Sequence, residues 1–383
     1  MSNLDDLKNL SSPPPSGWNP GVMWDGEAGY VTTPLRAEEP TPDEVDDILR
    51  TSRLDPEKII VDWTQKARIT SQINGAGELV QCWYKLPIVA KPDRTFDVER
   101  LVERIYKKRK TTKKPTSGWR TIVLSDQHIG KSREDGGGSD IIADRWIGSI
   151  EKALVGGRFE GINLVLAGDA IEGYTSQNGS GIGSCDLRLR EQIEFASDLL
   201  LSTIDRCLDV SNHVIVSTVP ANHTETTRVA KVSETDSFDI LISRIVQMAI
   251  SKTNMSERVS FYYPERNSVD VTYEAGGAVF CVVHGHKFSG NPVAGAEKWW
   301  QGQIVNSRPP AGADIMIHGH YHSFRAWALT SDRWILSAPS LETESAWFKN
   351  ATGASSPWGV LVFDLDGKRP TNIRVVSGVM EGD

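Results

Sequence analysis

Short, wholly apolar runs and longer amphipathic segments alternate along most of this chain. The apolar runs predict strands that are buried on both faces, and spacings of three and four residues predict helices. Strands are predicted at Thr121–Ser125, Ile162–Ala167, Val214–Val219, Val279–Val283, Ile315–Ile317, Trp334–Ser337 and Gly359–Asp364. Helices are predicted at Asp144–Leu154, Leu187–Leu208 and Ser237–Ala249. Strands alternate with helices first and dominate later, so residues 116–383 are predicted to form an α/β fold with layered mixed β-sheets flanked by helices.

The first part of the chain has a different pattern. Residues 1–40 are rich in Pro, Gly and Ser and are predicted to begin without regular structure, although Trp18, Trp24 and Tyr30 suggest that the second half packs onto a neighbour. A capping box of Thr41 and Glu44 predicts the start of a helix. The runs Lys58–Trp63 and Leu79–Leu86 are β-like. Residues 41–115 are therefore predicted to form a small α+β module, which ends in a helix-like segment over 96–110 and a basic linker up to Lys114.

Composition narrows the class of protein. A net charge of −8 over 383 residues argues against a wholly basic nucleic-acid binder and leaves room for a local basic patch. Four scattered cysteines without CxxC spacing indicate reduced thiols. The polar, acidic residues 1–10 do not resemble a signal peptide, and no apolar run is long enough to span a membrane. The prediction is a cytoplasmic protein without a membrane segment.

Histidine and carboxylate residues follow five of the predicted strands. They are Asp126 and His128, Asp169, Asn222 and His223, His284, and His320 and His322. Ligands in open α/β sheets collect beyond the carboxyl ends of strands, so folding should bring these side chains together. Imidazole and carboxylate groups gathered in this way are what a site for two divalent metals requires. The mixture without cysteine favours Mn²⁺, with Fe or Zn²⁺ as alternatives.

The order of these motifs resembles that of the calcineurin-like metallophosphoesterase superfamily. The motifs are Asp126-Gln127-His128, Gly168-Asp169, Ala221-Asn222-His223, His284 and Gly319-His320-Tyr321-His322, and the resemblance covers about Trp119 to Asp366. It implies a metallophosphoesterase sandwich. This chain departs from the family pattern at Ala221, where glycine is usual, and at Thr224, where an acid is usual and Glu225 follows one place later.

The resemblance also implies a role for each residue. Asp126, His128 and His322 would hold one metal, which we term position A, and Asn222, His284 and His320 would hold the other, position B. Asp169 would bridge the two, and a hydroxide between the metals would attack phosphorus. His223 would be catalytic, stabilising the transition state or protonating the leaving oxygen. His286 is the alternative to His284 as a ligand and otherwise a candidate substrate contact.

Several further residues have two readings each. Glu172 is either a support for the site or a solvated loop acid. Arg188 and Arg190 either meet a substrate phosphate or lie on a helix surface, after a loop at Ser176–Ser184 that could gate substrate. The rings and guanidinium groups near the last two histidine motifs either stack nucleic-acid bases or pack the core; they are Trp299, Trp300, Arg308, Phe324 and Arg325. His318 and His213 are predicted to be structural.

The residues of two short segments suggest the class of substrate. Ser125–Gly130 is similar to the first motif of the DNA-repair exonuclease branch, and Ser337–Leu341 resembles a turn of phosphodiesterase-like members. The prediction is a nuclease or phosphodiesterase that acts on DNA or nucleotides. The alternatives are a small-molecule or protein phosphomonoesterase, and a non-catalytic scaffold that binds nucleic acid or recruits a protein partner through residues 1–115. Oligomeric state stays open.

Overall fold

The computed structural model describes most of the chain in nine stretches. They are residues 19–26, 28–36, 38–73, 79–90, 118–132, 138–174, 185–227, 232–342 and 356–380. The helix predicted over 96–110, the basic linker and the loop at 176–184 lie outside these stretches. The chain divides into two units, Met1–Thr95 and Phe96–Asp383.

In the N-terminal unit, the described residues form a five-stranded antiparallel sheet and one α-helix. Its strands are β1 (Gly21–Trp24), β2 (Ala28–Thr32), β3 (Ile59–Val61), β4 (Ala67–Ile73) and β5 (Leu79–Ala90), in the order β1-β2-β5-β3, with β4 also paired to β5. Helix α1 (Pro42–Thr51) begins with the predicted capping box, in which Glu44 receives the backbone N–H of Thr41 at 2.7 Å. Val31, Val45, Leu49 and Leu86 are among the residues that form the core.

The second half of residues 1–40 belongs to this sheet, in line with the expectation that it packs onto a neighbour. Strands β1 and β2 both come from the Pro/Gly-rich segment, and β2 pairs along its length with β5, for example Tyr30 with Pro87. Val31 is fully buried, and Trp24 packs against the same core. Pairing with a distant strand outweighs the local composition, so residues 21–32 share a sheet with the module predicted to begin at residue 41.

The described residues of the C-terminal unit form two mixed sheets and four α-helices. Its strands are β6 (Trp119–Leu124), β7 (Phe159–Leu166), β8 (Ser211–Thr218), β9 (Val259–Tyr262), β10 (Asp270–Ala275), β11 (Ala278–Val283), β12 (Ile315–His318), β13 (Arg325–Ala328), β14 (Trp334–Ser337), β15 (Val360–Asp366) and β16 (Arg369–Val376). Its helices are α2 (Ser139–Ala153), α3 (Leu189–Val210), α4 (Phe238–Ile250) and α5 (Pro292–Val305). One sheet has the order β16-β15-β6-β7-β8-β9 and the other β10-β11-β12-β14-β13.

Alternating side chains of the central strands build three apolar layers. Ile122 and Leu124 face a core that includes residues of α2, α3 and α4. Val123, between them, faces a second core that lies between the two sheets. Trp300 of α5 joins a third core on the outer face of the second sheet. The predicted α/β fold with layered mixed sheets flanked by helices is confirmed.

Across the described stretches, no helix combines the length and the hydropathy that crossing a membrane would require.

Candidate metal centre

The predicted site residues meet where parallel strands of both sheets end. Strands β6, β7 and β8 run parallel in one sheet, and β11, β12 and β14 run parallel in the other. The loops continue the pairing for a few residues, because the N–H of Asp126 donates to Gly168 and the N–H of Gly319 donates to His284. Each sheet therefore contributes part of one cluster.

The cluster consists of three overlapping groups of donor atoms, each within 4.8 Å of one another. The groups are Asp126, His128 and His322; His128, Asp169 and His223; and Asp169, His284 and His320. Oδ1 of Asn222, the remaining predicted ligand, lies 3.1 Å from Nε2 of His284. The structure thus brings all seven predicted metal ligands and His223 together.

In position A the two histidines present Nε2 to each other and Nδ1 to carboxylates. Their Nε2 atoms are 3.4 Å apart, and Nε2 of His322 lies 3.3 Å from Asp126. Nδ1 of His128 lies 3.0 Å from Glu172, and Nδ1 of His322 lies 2.8 Å from Glu342. A partner at Nδ1 fixes the ring and leaves Nε2 available to a metal.

In position B the predicted ligand His284 is fully buried. Its Nε2 lies 3.1 Å from Asp169 as well as from Asn222, and its Nδ1 lies 2.7 Å from the carbonyl oxygen of Ala167. The ring of His286 lies beside it, with 5.4 Å between the ring centroids, but His286 belongs to none of the three donor groups. This geometry favours His284 over His286 as the ligand.

His223 lies beside Asp169 and keeps access to solvent. Its backbone N–H donates to Oδ1 of Asp169 at 2.8 Å, and its Nδ1 lies 3.3 Å from Glu172. Its side chain is 24% exposed, whereas that of Asp169 is 1% exposed. Burial opposes the charged ring, but the carboxylates of Asp169 and Glu172 outweigh burial and raise the pKa of His223.

Asp239 takes the place of the acid that is missing at Thr224. It lies in the first turn of α4 and accepts the backbone N–H groups of Asp169 at 3.2 Å and Ala170 at 3.0 Å. The hydroxyl of Thr224 donates to the same carboxylate at 2.5 Å. Glu225 instead forms an isolated bridge with Ser237. The loop that carries Asp169 is therefore supported by the first turn of α4.

The backbone of the site is unusual. Asp126, His128, Asp169, His320 and His322 all have positive φ, between 49° and 70°. Non-glycine residues are uncommon in this region, where Asp, Asn and His are the enriched types. Gly168 has a φ of 96°, and a Cβ there would lie 2.6 Å from Cβ of Ala221 and 2.7 Å from Nδ1 of His284. The close approach of these loops thus requires glycine at position 168.

Electrostatics in the cluster follow from burial and pairing. For Asp126 and Asp169, burial opposes ionisation, but nearby histidines, His322 for the first and His284 for the second, keep both pKa values below the usual range. The same carboxylates overcome burial and raise the pKa of His284 to about 9 and of His322 to about 10. Burial lowers the pKa of His320 to about 4.

The remaining predicted residues lie around this cluster or away from it. Arg190 is exposed and pairs with Glu194 along α3, and Arg188 is exposed at the start of that helix, so their role toward a phosphate stays a prediction. His318 is buried against Phe288, Tyr321 and Trp327.

Outside the cluster, His213 contacts Ser260 at 3.1 Å. Trp300 is buried and donates to Pro310, which is core packing, whereas Trp299 is partly exposed. Near position B, the ring centroids of Tyr321 and His320 are 5.0 Å apart.

Two functional residues have no counterpart among the sequence predictions. Glu342 is buried, and besides His322 it binds Lys131, whose Nζ lies 2.6 Å away. Burial opposes the ionisation of Glu342, but the charges of His128 and His322 lower its pKa to about 2. Asp239 is the other. A signal existed for Glu342, since it follows strand β14 as the predicted ligands follow their strands.

The donor set fits two divalent metals. Carboxylates, imidazoles and an amide oxygen, with Asp169 shared between two donor groups, match the oxygen and nitrogen ligands that Mn²⁺, Fe and Zn²⁺ accept. Nδ1 of His128 and of His322 is occupied by a carboxylate, which leaves the Nε2 atoms facing the cluster.

Known proteins resemble this chain only weakly. No family model and no curated protein matches it. Solved structures that align with it include Vps29 from Entamoeba histolytica in complex with Zn²⁺, at 12% identity and a TM-score of 0.31 over 66% of this chain and 88% of that one. A predicted phosphoesterase from Streptococcus pneumoniae aligns at 14% identity and 0.27 over 64% and 83%. A dimetal phosphatase from Danio rerio aligns at 11% and 0.34 over 68% and 96%. Structural similarity at these TM-scores does not indicate an activity, so the function is inferred from the residues of this chain.

Proposed function

We propose that this chain is a two-metal phosphodiesterase of the calcineurin-like metallophosphoesterase type, acting on DNA or nucleotides. The observation that carries the proposal is the pair of donor groups that share Asp169, with His223 beside them. In this proposal Asp126, His128 and His322 hold one metal, Asn222, His284 and His320 hold the other, and Asp169 belongs to both. Two divalent ions, for which we propose Mn²⁺, would supply water activation and charge neutralisation at phosphorus.

The protein's own groups would handle the leaving oxygen. Glu172 lies against Nδ1 of His223, so the partly exposed ring directs its other nitrogen away from Glu172. The two carboxylates favour the protonated ring, which can give its proton to the leaving oxygen. Asp169 also accepts the backbone N–H of His223 and thereby fixes the main chain from which the imidazole ring extends. His286, both of whose ring nitrogens are buried without a hydrogen-bond partner among the described residues, is proposed as a contact to the substrate.

DNA or nucleotides as the substrate class rests on the motif wording of Ser125–Gly130 and on partly exposed rings near position B. Tyr321 contacts His320 directly, and aromatic rings can stack on bases. Recruitment of a protein partner through residues 1–115 stays a prediction.

The test is hydrolysis by metal-free protein reloaded with Mn²⁺. Bis(p-nitrophenyl) phosphate, p-nitrophenyl phosphate and end-labelled single- and double-stranded DNA should be offered in parallel. Cleavage of the diester and of DNA is expected. Asp169→Asn should lower turnover at least about 100-fold, because a shared ligand worth several kcal/mol is lost. His223→Asn should lower it roughly 10²–10⁴-fold.

A matched control separates loss of the site from general damage. His213→Ala removes a histidine of the same unit that contacts Ser260 outside the cluster, and it should retain wild-type turnover. Hydrolysis of the monoester alone would refute the diester assignment. Metal binding without hydrolysis of any of the four substrates would favour the non-catalytic scaffold.

A further inference from the structure

A carboxylate stands behind each histidine of position A. Glu172 lies 3.0 Å from Nδ1 of His128, and Glu342 lies 2.8 Å from Nδ1 of His322. In both rings Nε2 faces the opposite way, into the cluster, where the two Nε2 atoms are 3.4 Å apart. Both rings are therefore oriented by an anion on their outer side.

Besides His322, Glu342 has two contacts that hold it in place. Its side chain is 1% exposed, and its second oxygen lies 2.6 Å from Nζ of Lys131. Its backbone N–H donates to Oγ of Ser340 at 3.0 Å, and that hydroxyl donates to the carbonyl oxygen of Asp126 at 2.6 Å. The turn after β14 thus connects Glu342 to the backbone of Asp126, and the buried carboxylate lies between Lys131 and His322.

Position B has a different kind of anchor. Nδ1 of His284 faces the carbonyl oxygen of Ala167 at 2.7 Å, which is a neutral acceptor. A charged acceptor forms a stronger hydrogen bond than a neutral one and makes the imidazole a better metal donor. By this comparison, the histidines of position A are stronger donors than His284.

We propose that Glu342 is a positioning residue for His322 and that, together with Glu172, it makes position A take up a divalent metal before position B. The inference rests on the metal centre of the proposed function and specifies how that centre fills. Lys131 contributes to this arrangement, because its positive charge offsets the free-energy cost of burying the carboxylate of Glu342.

The test is calorimetric titration of the metal-free full chain with Mn²⁺ alone. The wild type should bind in a tighter and a weaker step. His322→Ala should remove the tighter step and Asn222→Ala the weaker one, which assigns the steps to positions A and B. Glu342→Gln should weaken the tighter step roughly 10–100-fold, the usual cost of losing an outer carboxylate, and leave the weaker step unchanged.

Two further variants control for effects that do not depend on the contact between Glu342 and His322. Glu151→Gln, at an ion pair with Arg206 between α2 and α3, makes the same chemical change elsewhere and should leave both steps unchanged. Glu172→Gln acts on the other histidine of position A and should weaken the same tighter step. It therefore decides the question if Glu342→Gln does not fold, which circular dichroism will show.

The outcomes are separable from those of the proposed function. Two equal steps in the wild type, or a Glu342→Gln variant that weakens both steps alike or neither, would overturn the inference while leaving hydrolysis intact. A wild type that binds no Mn²⁺ would overturn the metal centre itself, and the proposed function with it.

Discussion

Replacing Gly168 by alanine should damage both the stability and the metal centre of this protein. Gly168 has a φ of 96° and lies between two other loops of the site. An added Cβ would come within 2.6 Å of Cβ of Ala221 and within 2.7 Å of Nδ1 of His284. Real Cβ atoms do not approach other atoms so closely, so the neighbouring loops would have to shift.

Two costs combine in this variant. A side chain in the left-handed region costs about 1–2 kcal/mol. Overpacking at a closely packed site costs about 1–3 kcal/mol more. His284 cannot rotate away cheaply, because it is fully buried and held by Ala167 on one side and Asp169 on the other. We therefore expect a loss of roughly 2–5 kcal/mol in the free energy of unfolding.

The assay is urea denaturation of the metal-free protein, followed by far-ultraviolet circular dichroism. Gly302→Ala is the matched control, because Gly302 lies inside α5 and an added Cβ there meets nothing within 4 Å. That change should stabilise the protein by about 0.5–1 kcal/mol, the helix preference for alanine over glycine. A Gly168→Ala variant within about 0.5 kcal/mol of the wild type would refute the reasoning about close approach and φ.

Two further substitutions test other parts of the structure. In Asp364→Asn the bidentate pair with Arg120 is lost, and at pH 7 the free energy of unfolding should fall by about 1 kcal/mol. Burial opposes the ionisation of Asp364, but Arg120 outweighs it and lowers the folded pKa; the stabilisation is thus present above the unfolded pKa near 4 and is lost as pH falls through the folded pKa. The gap between variant and wild type in urea should therefore narrow as pH falls below about 4, and a constant gap would contradict this account. Asp239→Asn should destabilise by about 1–3 kcal/mol at pH 8, because an amide has one acceptor oxygen for the buried N–H groups of Asp169 and Ala170; wild-type stability in urea would show that this carboxylate does not support the loop.

The strand-end ligands could be predicted because their signals are local. An apolar run followed at once by Asp126, or by His284, states both the element and its end within a few residues. Asp239 could not be predicted in this way, since it lies at the start of a helix and acts on residues that are far along the chain. Asp239 lies 70 positions from Asp169 in the sequence, and no local pattern in either segment indicates that the two are in contact.

Several elements were missed for related reasons. Strands β9 and β13 have four residues each, which is too short for a periodic pattern to stand out. Strands β1 and β2 form in a segment whose Pro and Gly content favours loops, because pairing with β5 decides their structure. Helix α5 contains two glycines, and its apolar residues do not form a single clear stripe.

The positive φ angles at the cluster limit the donor chemistry that this fold can evolve. Asp126, His128, Asp169, His320 and His322 occupy a backbone region in which Asp, Asn and His are enriched and β-branched residues are strongly disfavoured. The residue types that tolerate the conformation are also those that bind Mn²⁺, Fe and Zn²⁺ through oxygen and nitrogen. The backbone of these loops therefore favours the side chains that bind hard and borderline metals, because cysteine is not among the types enriched in this region.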